Sequence, residues 1–190
     1  MLNDDGKRPY VWITYEQAWL EASALGAGLM HLQLMNPGEY LGIFSINRKE
    51  WVLTDMACVQ YNFVSVPLVV TLDDETLIFI LNQSELRCVI AAPDLACKIV
   101  RVADKCPLLR GIVVMGEDLP DESSPKLLMY CWGNVTEAGD SNFPGDYPGR
   151  QRKPNDLMTV REEVEERRKV HHLESRSFTP AEALECPKGP

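Results

Sequence analysis

The sequence has no apolar run near the roughly 18 residues that a membrane span requires. Its longest apolar runs are Phe63–Val70 and Gly111–Met115. The first residues, Met-Leu-Asn-Asp-Asp-Gly-Lys-Arg, also lack the apolar stretch of a secretory signal. We therefore expect a soluble chain in the reducing cytoplasm, without a membrane span.

Basic residues are in the minority. Nineteen lysines and arginines stand against 28 aspartates and glutamates, which gives a net charge of -9 at pH 7. Such an acidic balance opposes binding to the phosphates of nucleic acids and to anionic lipid. We expect no nucleic-acid partner.

Patterns typical of metal sites are also scarce. The six cysteines contain no C-x-x-C pair, and most have apolar neighbours, so we interpret them as buried free thiols. His171-His172 are adjacent, whereas two ligands on one helical face need a spacing of three or four residues. Asp73-Asp74-Glu75 is explained by helix capping. We predict no metal site.

The chain is long enough for one domain, with 190 residues of which 45% are hydrophobic. Between Tyr10 and Met115, short β-branched runs alternate with segments of helical periodicity, which predicts an α/β fold: a partial doubly wound, largely parallel sheet with flanking helices. The predicted strands are Tyr10–Ile13, Tyr40–Ile46, Phe63–Val66, Arg87–Ala92 and Gly111–Met115. The predicted helix starts are Thr14 with Gln17, Asn47 with Glu50, Thr71 with Asp74, and Asp94.

After Met115 the pattern changes. Five prolines interrupt the stretch from Gly116 to Pro154, which predicts a poorly ordered connector with one short strand at Leu127–Cys131. Asp156–Val160 is predicted to begin another strand. The charged run Arg161–Lys169 then pairs opposite charges at helical spacing, so residues 161–190 are predicted to be a divergent tail, disordered or a solvated helix.

Three segments resemble one known family. They are Arg-Pro-Tyr-Val-Trp-Ile-Thr-Tyr at Arg8–Tyr15, Gly-Ile-Phe-Ser-Ile-Asn-Arg-Lys-Glu-Trp at Gly42–Trp51, and Val66-Pro67-Leu68 followed by Thr71-Leu72. All resemble the eukaryotic long-chain fatty-acid–CoA ligases of the AMP-forming adenylating superfamily. The resemblance runs from about Asp5 to Met115, and Pro154–Val160 is similar to the family's lead-in to its nucleotide loop. It implies that residues 1–115 are the α/β portion of the family's large N-terminal, AMP-binding domain, and that residues 116–160 are a connector.

The resemblance implies a reaction as well. The family activates a fatty acid with ATP to an acyl-adenylate and transfers the acyl group to coenzyme A. This chemistry needs a Ser/Thr/Gly-rich loop around the triphosphate, magnesium, and a lysine from a separate C-terminal domain. In the family the loop directly follows the strand similar to Asp156–Val160, where this chain has Arg161–Lys169.

Other departures point the same way. Cys186-Pro187-Lys188-Gly189 contains the tripeptide that ends the family's loop, but without the preceding Ser/Thr/Gly run. Val69-Val70 stands where the family carries Tyr-Asp, and Arg48-Lys49 is explained as a solvated charged pair. We therefore assign no catalytic, cofactor-binding or metal-binding residue. ATP, magnesium and coenzyme A are expected only for the full-length family.

The sequence thus predicts an N-terminal fragment of a long-chain acyl-CoA ligase that is inactive alone. The alternative is a non-catalytic truncated isoform that binds a protein partner, such as a full-length ligase, through apolar surface left uncovered. The resemblance further implies that the full-length parent associates with the endoplasmic reticulum or another membrane.

Overall fold

The computed structural model describes residues 12–142 and 157–160, together with two strands at residues 162–165 and 169–172. No helix in these residues is long and apolar enough to cross a membrane. In chain order the elements are α1 (Tyr15–His31), β1 (Tyr40–Phe44), α2 (Lys49–Tyr61), β2 (Val64–Pro67), α3 (Asp74–Gln83), β3 (Cys88–Ala91), α4 (Pro93–Val102), a 3-10 turn (Ala103–Lys105), β4 (Gly111–Val114), β5 (Leu128–Cys131), α5 (Trp132–Asn142), β6 (Glu162–Glu165) and β7 (Lys169–His172).

The first five strands form one parallel sheet in the order β2-β1-β3-β4-β5. Side chains of α1, α2 and α5 share a core cluster on one face of the sheet, and those of α3 and α4 share a second cluster on the other face. The expected doubly wound α/β fold is confirmed. β1, β3 and β4 are almost wholly buried, as strands covered by helices on both faces must be, and this is why they read as continuous apolar runs.

Pro67 is the last residue of β2. The sequence predicted a strand that ends one residue earlier, at Val66. The Val64 N–H donates to the carbonyl of Glu39, just before β1, and the Leu68 N–H donates to the carbonyl of Ile43 in β1, at 2.9 Å each. The nitrogens of Ser65 and Pro67 therefore face the outer side of β2, because alternate residues of a strand point their N–H groups in opposite directions. The missing N–H of the proline costs no bond to β1.

Two of the four helices with a predicted start, α1 and α3, have a side chain that caps the N-terminus. Thr14 Oγ1 accepts from the Gln17 N–H at 3.1 Å, and Gln17 Oε1 accepts from the Thr14 N–H at 2.8 Å, so the capping box of α1 is confirmed. In α3 the cap is Asp73, which accepts from the Thr76 N–H at 2.8 Å, and not Thr71.

The other two predicted caps are wrong. Helix α2 begins after Arg48, not Asn47, and α4 begins after Ala92 with Pro93 as its first residue. Neither N-cap residue makes a side-chain capping bond. Asp94 instead lies in the first turn of α4, and Pro93 has a backbone angle suited to the first helical position.

The predicted strand Tyr10–Ile13 is wrong where it can be compared. Trp12 and Ile13 belong to none of the strands of the structure, and Tyr10 and Val11 lie outside the described residues. Helix α1 also does not turn its aromatic residues to the sheet, since Tyr15 is 96% exposed and Trp19 is 57% exposed. Its buried face consists mainly of small residues and leucines: Ala22, Ala24, Leu25, Gly26, Ala27, Gly28 and Leu29.

Residues 116–142 contain more regular structure than predicted, and the rest of the predicted connector, up to Pro154, lies outside the described residues. The short strand is confirmed as β5, which pairs with β4, but helix α5 was not expected. Its sequence has few apolar residues, so periodicity gave no signal for it. In the tail, β6 and β7 pair antiparallel, with Val164 opposite Val170, so these residues form neither of the two predicted alternatives, a disordered segment or a solvated helix.

The backbones of helices α1 and α5 lie very close together where the helices cross. At the crossing, a glycine of each helix faces the backbone of the other helix. A Cβ atom on Gly28 would lie 2.8 Å from the Val135 carbonyl carbon. One on Gly139 would lie 2.8 Å from the Gly28 nitrogen and closer still to the Ala24 carbonyl oxygen. Backbone atoms cannot move aside as a flexible side chain can, so only glycine fits at these two positions.

We predict that Gly28→Ala and Gly139→Ala each lower the free energy of unfolding by about 2 to 4 kcal/mol, because the added methyl overpacks the crossing. Gly133→Ala, in the first turn of the same α5, meets open space and should be neutral or stabilising by about 0.5 to 1 kcal/mol. Urea unfolding followed by circular dichroism measures all three. Equal effects at residues 133 and 139 would contradict the close crossing.

Candidate functional site

In an open parallel sheet, ligands bind at the carboxyl ends of the strands where the connections diverge to opposite faces. Here that point lies between β1 and β3, since β1 leads into α2 on one face and β3 leads into α4 on the other. The loop from Ser45 to Arg48 and the turn at Ala92 border the position. We call it the β1/β3 crevice.

Arg48 bridges this crevice. Its Nη2 donates to the backbone carbonyl of Met115, at the end of β4, at 3.2 Å. Its Nε and Nη2 donate to the two carboxylate oxygens of Glu50 at 2.8 and 3.3 Å. Because β3 lies between β1 and β4 in the sheet, the arginine side chain spans the place where a ligand would sit. Arg48 thus connects the loop after β1 with the end of β4.

Glu50 stays ionised in this arrangement. Burial raises the pKa of Glu50, but the hydrogen bond from Arg48 and the charges of Arg48 and Lys49 outweigh burial, so the net pKa lies below the usual value. Lys49 in turn pairs with Glu21 at 2.9 Å, and Glu21 also accepts from the Trp132 indole N–H at 3.2 Å. Arg48 and Lys49 are partly exposed, as the interpretation as a solvated pair expects, but both side chains also connect separate elements.

A second candidate position lies at the outer edge of β2. The Ser65 N–H donates to the Met158 carbonyl and the Val160 N–H donates to the Ser65 carbonyl, both at 3.0 Å. Thr159 lies beside Ser65 in parallel register, and their hydroxyl oxygens are 2.8 Å apart. The predicted strand ending at Val160 is confirmed to this extent, and Asp156 lies outside the described residues.

The carboxyl edge beside this segment is apolar. Val69 is 58% exposed and Val70 packs against the core, and neither side chain can donate or accept a hydrogen bond. Ile46, at the end of the neighbouring β1, is 67% exposed. Lys98 donates to the Leu72 carbonyl and so anchors the loop that follows β2. Val69, Val70 and Ile46 therefore offer a triphosphate no hydrogen-bonding side chain.

Three of the described thiols, those of Cys88, Cys106 and Cys131, are poor nucleophiles. None of Cys58, Cys88, Cys97, Cys106 and Cys131 is in a disulfide, and all except Cys97 are buried, as the sequence predicted. Burial raises the pKa of Cys88 to about 12 and raises the pKa values of Cys106 and Cys131. A thiol must lose its proton to react, so these groups are unreactive at neutral pH. Cys186 lies outside the described residues.

The described residues contain no group of three side chains able to hold a metal ion. Asp73 caps α3 and Asp74 lies 3.9 Å from Arg101, as a structural interpretation of that acidic run expects. In the tail, His172 lies opposite Glu162 and His171 opposite Glu163 in the register of β6 and β7. Residues 186–189, with their Pro-Lys-Gly tripeptide, lie outside the described part. The assignment of no catalytic, cofactor or metal residue stays a prediction.

Comparison with known proteins gives a consistent family. A family model for AMP-binding enzymes matches residues 3–160. Long chain acyl-CoA synthetase 7, peroxisomal, of Arabidopsis thaliana is 32% identical over 157 residues, covering 80% of this chain and 22% of the relative. Long-chain-fatty-acid–CoA ligase 5 of Mus musculus is 33% identical over 161 residues, covering 80% and 23%. This chain therefore spans less than a quarter of the length of these relatives.

Solved structures share the fold. The anthranilate CoA ligase AuaEII in complex with anthranoyl-AMP has a TM-score of 0.68 at 20% identity, over 80% of this chain and 27% of that one. The A-PCP didomain of carboxylic acid reductase from Segniliparus rugosus in complex with AMP has a TM-score of 0.75 at 15% identity, over 93% and 28%. The similarity shows that this chain shares their fold.

We predict that Glu50→Gln lowers the free energy of unfolding by about 1 to 2 kcal/mol at pH 7, because it removes the charge that Arg48 binds. A carboxylate with a lowered pKa stabilises the fold above its unfolded-state pKa, about 4.3, and loses that contribution as the pH falls through the folded value. The difference from the wild type should therefore shrink between pH 5 and pH 3 in urea unfolding.

The matched control is the same substitution in an Arg48→Ala background, where Glu50 has lost its main partner. There, Glu50→Gln should have little effect at any pH. An undiminished, pH-dependent effect in that background would show that Arg48 is not the group that stabilises the carboxylate.

Proposed function

Because the chain belongs to the family of AMP-binding enzymes, we propose that it is the first, sheet-forming part of a long-chain fatty-acid–CoA ligase. The family match and the names of the curated relatives support this function. The observation that carries it is the docking of residues 157–160 on β2. The matched region ends at residue 160, and the hydrogen bonds of Ser65 bring that end to the carboxyl edge of the sheet.

The complete reaction has two steps. The fatty-acid carboxylate displaces pyrophosphate from the α-phosphate of ATP, giving an acyl-adenylate. The thiol of coenzyme A then attacks the acyl carbon and AMP leaves. Magnesium would neutralise the triphosphate, and a loop rich in backbone N–H and hydroxyl groups would bind it.

The described residues of this chain do not supply such a loop. Arg48 pairs with Glu50, two residues away, and donates to the Met115 carbonyl across the β1/β3 crevice, and the edge beyond β2 presents Val69. The sequence after Val160 has charged residues in place of a Ser/Thr/Gly run. We therefore propose that this chain alone does not catalyse adenylation. Residues 161–190 form the divergent part, and the cytoplasm is its location in this proposal.

A second candidate function is a non-catalytic isoform that binds a protein partner. The observation that favours it is the exposed apolar surface at the start of α1, where Tyr15 is 96%, Trp19 57% and Leu20 56% exposed. Large side chains this exposed mark interaction sites or aggregation-prone surfaces. In this proposal the partner is a full-length ligase of the same family.

We predict that the chain shows no fatty-acid-dependent exchange of labelled pyrophosphate into ATP. The control joins residues 1–160 of this chain to the part of mouse ligase 5 that follows the matched region. That chimera should exchange pyrophosphate, because it regains the loop and the remaining domains. Activity of the chain alone would refute the inactivity, and a folded but inactive chimera would contradict the proposed ligase origin.

We also predict that the exposed surface of α1 makes the chain bind hydrophobic dye and self-associate or bind a full-length ligase. Sedimentation and dye fluorescence measure this. Tyr15→Lys with Trp19→Lys should reduce both signals, whereas Val59→Lys, on exposed α2 surface, should not. A monodisperse wild-type chain that binds neither dye nor ligase would rule out the partner function.

A further inference from the structure

Ser65 is an unusual residue for its position. It lies in β2 between the buried residues Val64 and Val66, and it is itself only 1% exposed. A buried hydroxyl without a hydrogen-bond partner destabilises the folded state. Within the described residues, the partner of the Ser65 hydroxyl is Thr159, at 2.8 Å and 94 positions away in the sequence. The polar group thus depends on a segment that is distant in the chain.

Besides the Thr159 hydroxyl, only backbone groups of segment 157–160 are seen to hydrogen-bond to the sheet in the described residues. Two backbone hydrogen bonds, to and from Ser65, join it to β2. Val160 contributes to the same core cluster as Val66 and is 2% exposed. So short a ladder specifies its register only weakly through the backbone, and the side chains must supply the rest.

The side chains distinguish the native register from its neighbours. A shift by one residue would set Val160 beside the Ser65 hydroxyl and turn the Thr159 hydroxyl toward the apolar cluster, since adjacent strand residues point to opposite faces. Both hydroxyls would then lose their partner while Val160 would leave the core. Only the observed register satisfies all three groups.

We propose that Ser65 and Thr159 are positioning residues that set the register of segment 157–160 on β2. They thereby fix the point at which the chain leaves the carboxyl edge of the sheet after Val160. The outer edge of β2 accepts a strand that carries a hydroxyl residue followed by a β-branched apolar residue. The significance of this exit point for nucleotide binding rests on the proposed function, but the register itself does not.

Amide hydrogen exchange measured by NMR reports the register directly. In the native register the Val160 N–H is bonded to β2, and the Thr159 N–H points away from it. We expect Ser65→Ala and Thr159→Val each to accelerate exchange at the Val160 amide by about tenfold or more, which corresponds to the loss of one net hydrogen bond. Thr159→Ser keeps the hydroxyl and should retain protection within about threefold.

The double variant Ser65→Ala with Thr159→Val separates positioning from plain stabilisation. It replaces both hydroxyls by apolar groups, so no polar group is left buried without a partner. The hydroxyl pair then no longer distinguishes one register from the other. We expect two sets of signals for residues 157–160, with protection shared between the amides of residues 159 and 160. A single register with full Val160 protection would mean that the pair only stabilises, and would overturn the proposal.

The matched control is Ser45→Ala. Ser45 is also a buried serine at the end of a strand, but its hydroxyl donates to the neighbouring Ile46 carbonyl at 2.8 Å. This variant should leave exchange at Val160 unchanged. Unchanged exchange in Ser65→Ala and Thr159→Val would also overturn the proposal. Because no arm needs nucleotide or activity, failure here leaves the ligase proposal standing, and failure of the ligase assay leaves the register untouched.

Discussion

The close crossing of α1 and α5 is the constraint on which the rest of this structure depends. Gly28 and Gly139 allow the two backbones to touch, which holds α1 against the helix that follows the last strand of the sheet. On its other side α1 packs on α2, where the Tyr61 ring fills the space beside Gly26 and its hydroxyl donates to the Ser23 carbonyl at 2.7 Å. One helix made of small residues thus connects α2, beside β1, with α5, beside β5.

The position of α2 has consequences for the candidate site. With α2 fixed by α1, its first residues lie at the carboxyl end of β1, and Arg48 reaches the end of β4. At the place where such sheets bind ligands, Arg48 thus bonds to Glu50 and to the Met115 carbonyl. The outer edge of β2 carries the segment that ends at Val160. These two features support the proposal that the chain is the sheet-forming part of a ligase and does not catalyse on its own.

The sequence predicted the parts of the fold that depend on local signals. Strands β1 to β4 are buried on both faces, so each reads as a short apolar run, and Thr14 caps α1 through a residue three positions away. Helix α5 gave no such signal, because its packing depends on Gly139 meeting a backbone more than a hundred residues earlier. Charge spacing failed at β6 for a related reason, since opposite charges can pair across strands as well as along a helix.

The candidate site was still harder to predict. The family resemblance located the segment before Val160, but the role of Ser65 depends on a residue 94 positions away, and Arg48 acts on a carbonyl 67 positions away. Titration of the isotope-labelled chain with a non-hydrolysable acyl-adenylate analogue tests the central claim most directly. The account predicts no saturable amide shifts at residues 45–48, 92–94 or 65–72. Saturable shifts confined to those loops would show that this sheet binds the adenylate itself, and would contradict the account.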